Sequence, residues 1–290
     1  MECGYDFKER YRFIPASPDL RPWVCYYVIT DDRARPQAMP ALTRVPAMLT
    51  AQLHLHLGGV PSGLDERGRR REIPRYVFMG PFSRSPVVRN DCRPTYTITL
   101  CFRAGGWYDL VTPGASDLTD ASCPASEAFK GAEQDLIARL ESDASGPHLP
   151  IVEDWLRRLI RRRAVEDQAV IWLRRRLVDT SPSQLADEMG LSRRQLQRRL
   201  RRTLGPAPKA YQRLARLYYF HILIRGNRND LFQPRTLADA AIAAGYHDQS
   251  HLDRDIRLVN GFSMGELRTR LAAGDSELDH FQSVPPIDLL

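Results

Sequence analysis

The sequence predicts an α+β chain with a β-rich front, a helical connector and an all-α back. Three observations carry this. Through about residue 125, short runs of β-branched and aromatic residues are punctuated by proline and glycine. After Ala125, apolar residues recur at helical spacing. The charge divides along the same line. Residues 1–150 carry 18 basic and 18 acidic side chains, residues 151–271 carry 24 against 13, and the remainder has four acids and no base. The formal net charge of +7 is thus a neutral front, a basic back and an acidic end. A basic part joined to a neutral one is the footprint of a polyanion binder.

The boundaries expected from these shifts are 1–125 for the β-rich part, 126–166 for the connector, 167–272 for the helical domain and 273–290 for a loosely held acidic tail. A length of 290 residues gives room for two cores, and 43% apolar with 27% charged residues argues against a disordered chain. No apolar run approaches the roughly 18 residues of a membrane span. The first residues lack the basic and then apolar blocks of a secretory signal, so a cytoplasmic location is expected. Cys3, Cys25, Cys92, Cys101 and Cys123 are scattered without close pairs, which reads as free thiols in a reducing compartment.

In the front part, strands are expected at Trp23–Thr30, Leu49–Leu57, Arg75–Met79 and Thr95–Arg103. The last alternates, with Tyr96, Ile98, Leu100 and Phe102 on one side and Thr95, Thr97, Thr99 and Cys101 on the other. Such a strand is half-buried, in a sandwich or small barrel. His54 and His56 form a His-x-His on one strand face, a spacing that can supply two metal ligands. The acid that should follow within a few residues is missing from Leu57 to Pro61, so ordinary strand histidines are expected and no metal is assigned. Arg67, Arg69, Arg70, Arg71 and Arg75 form a basic cluster around a turn; it reads as a solvated loop or a site for an anionic effector.

In the connector, Asp135–Leu140 looks helical and Ser142–Pro150 reads as a loop. Ile151–Arg163 is amphipathic, with Val152, Trp155, Leu156 and Leu159 on the apolar stripe. That stripe either packs on its own domain or pairs with a second copy, so monomer and homodimer both stay open.

The back part holds two helix-turn-helix patterns. In the first, Ser181, Pro182 and Gln184 open a helix with a capping box, and Leu185, Ala186 and Met189 face inward. Gly190 turns the chain, and Ser192 with Gln195 makes a second capping box. Leu196 and Leu200 point inward, leaving Arg193, Arg194, Gln197, Arg198, Arg201 and Arg202 outside; Gly205 ends the helix. In the second, Thr236 caps a helix with Leu237, Ala240, Ala241 and Ala244 inward, Gly245-Tyr246 turns, and Asp248 starts a helix with Leu252 and Ile256 inward. Leu185-Ala186 precede Gly190 as Ala240-Ala241 precede Gly245. A lone pattern of this kind is weak; two at matched spacing on the basic part are not.

Residues from about 167 to 271 closely resemble the DNA-binding domain of the AraC/XylS transcription regulators. The resemblance lies in Leu185-Ala186, Gly190-Leu191-Ser192-Arg193-Arg194-Gln195-Leu196-Gln197-Arg198 and Gly205-Pro206-Ala207-Pro208, and is strongest from Leu237 through Gly245-Tyr246-His247-Asp248-Gln249-Ser250-His251-Leu252 to Gly261-Phe262-Ser263. It implies a seven-helix domain that reads two successive major-groove segments of double-stranded DNA. Base contacts would fall to Arg193, Arg194, Gln197 and Arg198, and to Gln249, Ser250, His251, Asp253 and Arg254. Phosphate contacts would fall to Arg201, Arg202, Lys209, Arg216 and Arg257, against the plainer reading of solvated helix faces. Two departures stand out: Ala240 where the family has a larger aliphatic residue, and Leu252 and Ile256 where aromatics are common.

The front part resembles, more weakly, the cupin-like sensor domain of some such regulators, in Gly80-Pro81-Phe82, Phe102-Arg103-Ala104-Gly105-Gly106 and Leu118-Thr119-Asp120. This implies an effector or partner, whose identity the sequence leaves open; RNA polymerase is a further candidate partner. No phosphate loop, nucleophile elbow, dinucleotide fingerprint or cysteine cluster occurs, so no catalytic residue and no cofactor is expected.

Overall fold

The computed structural model describes residues 11–33, 41–65, 67–90, 94–143, 146–163, 168–177, 180–224 and 236–275. Most of the acidic tail, together with Cys3 and Cys92, lies outside the described residues. Two antiparallel sheets make up the front. The larger takes β1 (Tyr11–Pro15), β2 (Val24–Asp31), β9 (Tyr96–Phe102), β4 (Gln52–His56), β7 (Tyr76–Met79) and β10 (Ser122–Pro124), in that spatial order. The smaller takes β3 (Leu42–Arg44), β8 (Val87–Arg89), β5 (Ser62–Leu64) and β6 (Arg70–Arg71). The four strands expected from composition are β2, β4, β7 and β9. The six others are two to five residues long, too short to show a period of their own.

Register decides what each face of the larger sheet does. Leu53, Leu100, Tyr27 and Phe78 stand in one cross-strand row, as do Leu55, Ile98 and Ile29. These side chains are buried in a core shared with α1 (Ala125–Phe129), α2 (Gln134–Ser142) and α3 (His148–Arg163). Phe78 is its hub, with Phe102, Trp107 and Phe129 rings 5.5–5.8 Å away. The stripe Val152, Trp155, Leu156 and Leu159 of α3 is buried in the same core. It therefore packs on its own sheet, and that face is not free to pair with a second copy. α3 also starts earlier than expected. Pro150 lies in its first turn, where a missing N–H breaks no helical bond.

The opposite face carries the alternate residues of the same strands. Thr97 pairs with Thr30 and His56, Thr99 with Val28 and His54, and Cys101 with Tyr26 and Gln52. The expectation of a half-buried β9 is corrected here. From Thr97 to Phe102 every residue is buried, because the threonine side faces the second sheet rather than water.

The back holds seven helices among the described residues: α4 (Gln168–Arg176), α5 (Pro182–Glu188), α6 (Arg193–Leu204), α7 (Pro208–Ile224), α8 (Leu237–Ala243), α9 (Gln249–Asn260) and α10 (Met264–Ala272). One core joins them, with Leu185, Leu196 and Leu200 from the first unit, Tyr211, Leu214, Leu217 and Phe220 from α7, and Ala240, Leu252 and Ile256 from the second. Ala240, Leu252 and Ile256 are fully covered despite departing from the family's residue sizes. Leu49 and Ala104 from the front join this core, so the two halves are packed together. Among the described residues, no helix is long and apolar enough to cross a membrane.

Candidate nucleic-acid interface

Each unit is built by the caps that its sequence encodes. Ser181 and Ser192 each accept a hydrogen bond from the backbone N–H three residues on, and Gln184 and Gln195 accept from the cap N–H in return. Thr236 and Asp239 repeat the reciprocal pair, and Asp248 accepts from the His251 N–H at 2.7 Å. The turns between helices run through Gly190 at φ +63° and Gly245 at φ +82°, a region closed to most side chains. These devices satisfy first-turn N–H groups from within, and they fix where α6 and α9 begin.

With Leu196, Leu200, Thr203 and Leu204 buried, α6 turns Arg193, Arg194, Gln197, Arg198, Arg201 and Arg202 to solvent. On α9, Leu252, Ile256 and Val259 are buried, and Gln249, Ser250, Arg254 and Arg257 are exposed. His251 is half-buried, its ring edge-on to Tyr246 at 5.3 Å. Lys209, at the start of α7, is exposed.

Two candidates are turned inward. Asp253 accepts from Arg257 Nε at 2.7 Å and from the Met264 N–H at 2.8 Å. The Arg257 hydrogen bond, and then the Met264 N–H, hold this carboxyl below its usual range, so it is an ionised brace between α9 and α10. Arg216 lies half-buried 5.5 Å from the Tyr246 ring and 3.9 Å from Asp255, a charge centre packed between α7 and the second unit. Arg213 donates to the same Asp255 at 3.0 Å. Sequence spacing places Asp253 and Arg216 on roughly the right faces; it does not reveal that a helix packed alongside consumes them.

Both α6 and α9 lean on the front half at their C-terminal ends. A Cβ at Gly205, which follows α6 at φ +93°, would lie 2.8 Å from Thr119 Oγ1 and 2.9 Å from the Ala115 carbonyl oxygen. Only glycine permits that approach. At the end of α9, the Ser85 N–H donates to the Val259 carbonyl at 2.8 Å, and its hydroxyl donates to Asn260 Oδ1 at 3.1 Å. Arg44 donates to the Asn260 carbonyl at 3.2 Å. None of these front residues was a candidate from sequence. Their partners lie 175 and 216 positions away, and no local pattern marks them.

Ser85 and Arg44 are the chain neighbours of Pro86 and Val45, which line a cavity of about 170 Å³ between the two sheets. The cavity's floor is the threonine side of β9 with His54 and His56 of β4, and its roof includes Val45, Met48, Phe82, Pro86 and Val88. The Val45 N–H donates to the Pro86 carbonyl, and Met48 and Phe82 exchange backbone bonds, so the roof is one hydrogen-bonded ribbon. The His-x-His pair is tied down inside. His54 bonds Gln52 at 2.8 Å and Thr99 at 3.1 Å, and His56 bonds Thr97 at 2.9 Å. Burial, and next the charge of Arg75, push the His56 pKa down to about 4. In the basic cluster, Arg69 pairs with Asp65 at 2.8 Å, and Arg75 donates to the His56 and Leu57 carbonyls.

Residues 185–270 match a family model described as a helix-turn-helix domain. No curated protein matches the chain. Among solved structures, the chain is similar to ToxT from Vibrio cholerae at 9% identity and a TM-score of 0.45, covering 78% of this chain and 92% of that one. ToxT bound to (E)-4-(8-methylnaphthalen-1-yl)but-3-enoic acid is 8% identical with a TM-score of 0.45, over 90% of this chain and 99% of that one. Wild-type ToxT bound to an unsaturated fatty acid is 8% identical with a TM-score of 0.41, over 83% and 94%.

Proposed function

We propose that the chain, whose residues 185–270 match a helix-turn-helix domain, is a one-component transcription regulator of the AraC type that reads two major-groove segments. The carrying observation is the pair of capped helices, α6 and α9, whose exposed first turns bear arginine and amide side chains. Such side chains make two coplanar hydrogen bonds, Arg to guanine and Gln to adenine. Base contacts are assigned to Arg193, Arg194, Gln197 and Arg198 on α6, and to Gln249, Ser250, His251 and Arg254 on α9. Arg201, Arg202, Lys209 and Arg257 are assigned to phosphates. Asp253 and Arg216 are left out because their polar atoms brace the domain. Residues 167–272 are the reading domain in this proposal, and the front half, with α1–α3 packed on its sheet, is the sensing part. A role in catalysis is not part of it.

The sensing role rests on the inter-sheet cavity and on its connection to α9. Phe82 and Pro86 line the cavity, and Ser85 between them holds the last residues of α9. A molecule that displaces this ribbon changes the seat of the second recognition helix.

A random-library selection with purified protein at physiological salt tests the DNA reading. Two motifs with centres about one helical turn apart, ~34 Å, are expected. Enrichment of no motif, together with steep loss of binding in salt, would replace this reading with that of a non-specific binder.

A further inference from the structure

The cavity's chemistry narrows what it accepts, given the sensing role proposed above. We propose that it is a receptor site for a neutral, mostly apolar small molecule the size of one substituted ring, with hydrogen-bonding atoms along one edge. Its volume of about 170 Å³ is close to the ~150 Å³ cavities that take up benzene. Phe13, Val28, Met48, Ile73, Phe82 and Val88 supply apolar walls. The polar edge is the β9 and β4 rows, where Thr97 meets His56 and Thr99 meets His54.

Two observations point to a ligand with this polarity. First, Thr50 and Thr95 line the cavity at 1% and 4% exposure, and neither hydroxyl has a hydrogen-bond partner among the described residues. A buried hydroxyl left unpaired is costly, and a ligand atom that pairs with it recovers that cost. Second, none of the described lining residues is Asp, Glu, Lys or Arg. Cys101, Tyr26 and His56 on the lining are neutral at pH 7. Burial pushes the Cys101 thiol and the Tyr26 phenol up, and the His56 imidazole down. Arg75, the charge that His56 feels, is held by the His56 and Leu57 carbonyls outside the lining. A carboxylate or an ammonium would shed its hydration here and meet no opposite charge. A polyol would leave most of its hydroxyls against hydrocarbon.

The test uses the full chain and two matched probe pairs, methyl benzoate against benzoate and benzyl alcohol against benzylammonium, followed by ligand-observed magnetic resonance and calorimetry. The neutral member of each pair is expected to bind about 100-fold or more tightly than the charged one. Thr95→Val and Thr50→Val are expected to weaken the neutral probes about two- to ten-fold. Neither should lower the melting temperature, because each removes an unpaired buried hydroxyl; this keeps the loss distinct from misfolding. Val28→Trp, filling the cavity, should abolish probe binding in a chain that still melts cooperatively. Equal or tighter binding of the charged members overturns the proposal, as does no binding of either neutral probe at millimolar concentration. Neutral-probe binding with unchanged operator affinity upholds the receptor site and overturns the sensing role instead.

Discussion

The two helix-turn-helix units share their capping logic and differ in how they are held. The first is a light frame with a dense external charge. Its buried contacts are mainly aliphatic, all the candidate contacts on α6 are exposed, and the ion pair of Arg176 with Glu188 at 2.9 Å lies at the surface. The second is built around small residues and an internal charge. Ala240, Ala241 and Ala244 bring α8 close, and Asp255, with 8% of its side chain exposed, is bridged to Arg213 and Arg216 of α7. Their attachments to the front half differ too. Gly205 at the end of α6 comes close against the Ala115–Thr119 turn, and α9 ends in directed hydrogen bonds from the roof of the cavity. A contact by shape is insensitive to small shifts in angle, and a hydrogen bond is not. Matched motifs in one domain can thus be seated against the rest of the chain in two different ways.

Four experiments break or sharpen this contrast. The largest effect is expected from acid. His56 has its folded pKa depressed to about 4, so the stability its burial confers is present above its unfolded value near 6.5 and is lost as pH falls toward 4. Urea unfolding should show a loss approaching ~3 kcal/mol across that window. A His56→Gln chain should lose most of that slope; an unchanged slope would place the sensitivity elsewhere.

Next is Asp255→Ala, expected to cost about 2–3 kcal/mol by leaving two half-buried guanidinium groups without their partner. Glu188→Ala at the first unit's surface pair should cost under ~0.5 kcal/mol. Equal costs would erase the distinction between the frames.

Third, Arg194→Ala should weaken operator binding by about 1–3 kcal/mol and relax preference at one base pair. Its counterpart Arg201→Ala should weaken all sequences alike and reduce the salt slope by about one. Identical behaviour of the two would show that α6 is misassigned. The smallest effect is Ser85→Ala, about 1 kcal/mol, and its value lies in where it acts. Affinity for sites altered in the α9 half should become indifferent to the change, while sites altered in the α6 half should keep its full penalty.

Much of the back half was legible because its determinants are local. A capping box spans three residues, and a helical stripe repeats within a turn. The Ser192–Gln195 box and the Thr236 cap therefore sit where the sequence put them, and the structure adds Asp239 as the partner of Thr236. In the front half, β2, β4, β7 and β9 were legible for the same reason. The short strands of the smaller sheet were not, because β6, with two residues, exists only through its pairing with β5. Thr95, Thr97 and Thr99 were misjudged on a sound premise, that a polar face seeks water. A second sheet covers it instead, and the nearest signal in the sequence was His-x-His on the adjoining strand. Asp253, Arg216, Ser85 and Arg44 depend on helices and loops brought together from far along the chain, beyond any periodicity.

β9 gives one wall to two rooms. Its even-numbered residues from Ile98 to Phe102 belong to the core shared with α1–α3, and its odd-numbered residues Thr97, Thr99 and Cys101, with Thr95 just ahead of the strand, line the cavity. Parity along seven residues therefore sorts mutations by consequence. Exchanges at odd positions alter the lining of the cavity, and exchanges at even positions open the core. In the receptor proposed above, selectivity and core packing are therefore set from alternate residues of one strand, and the first can vary while the second is kept.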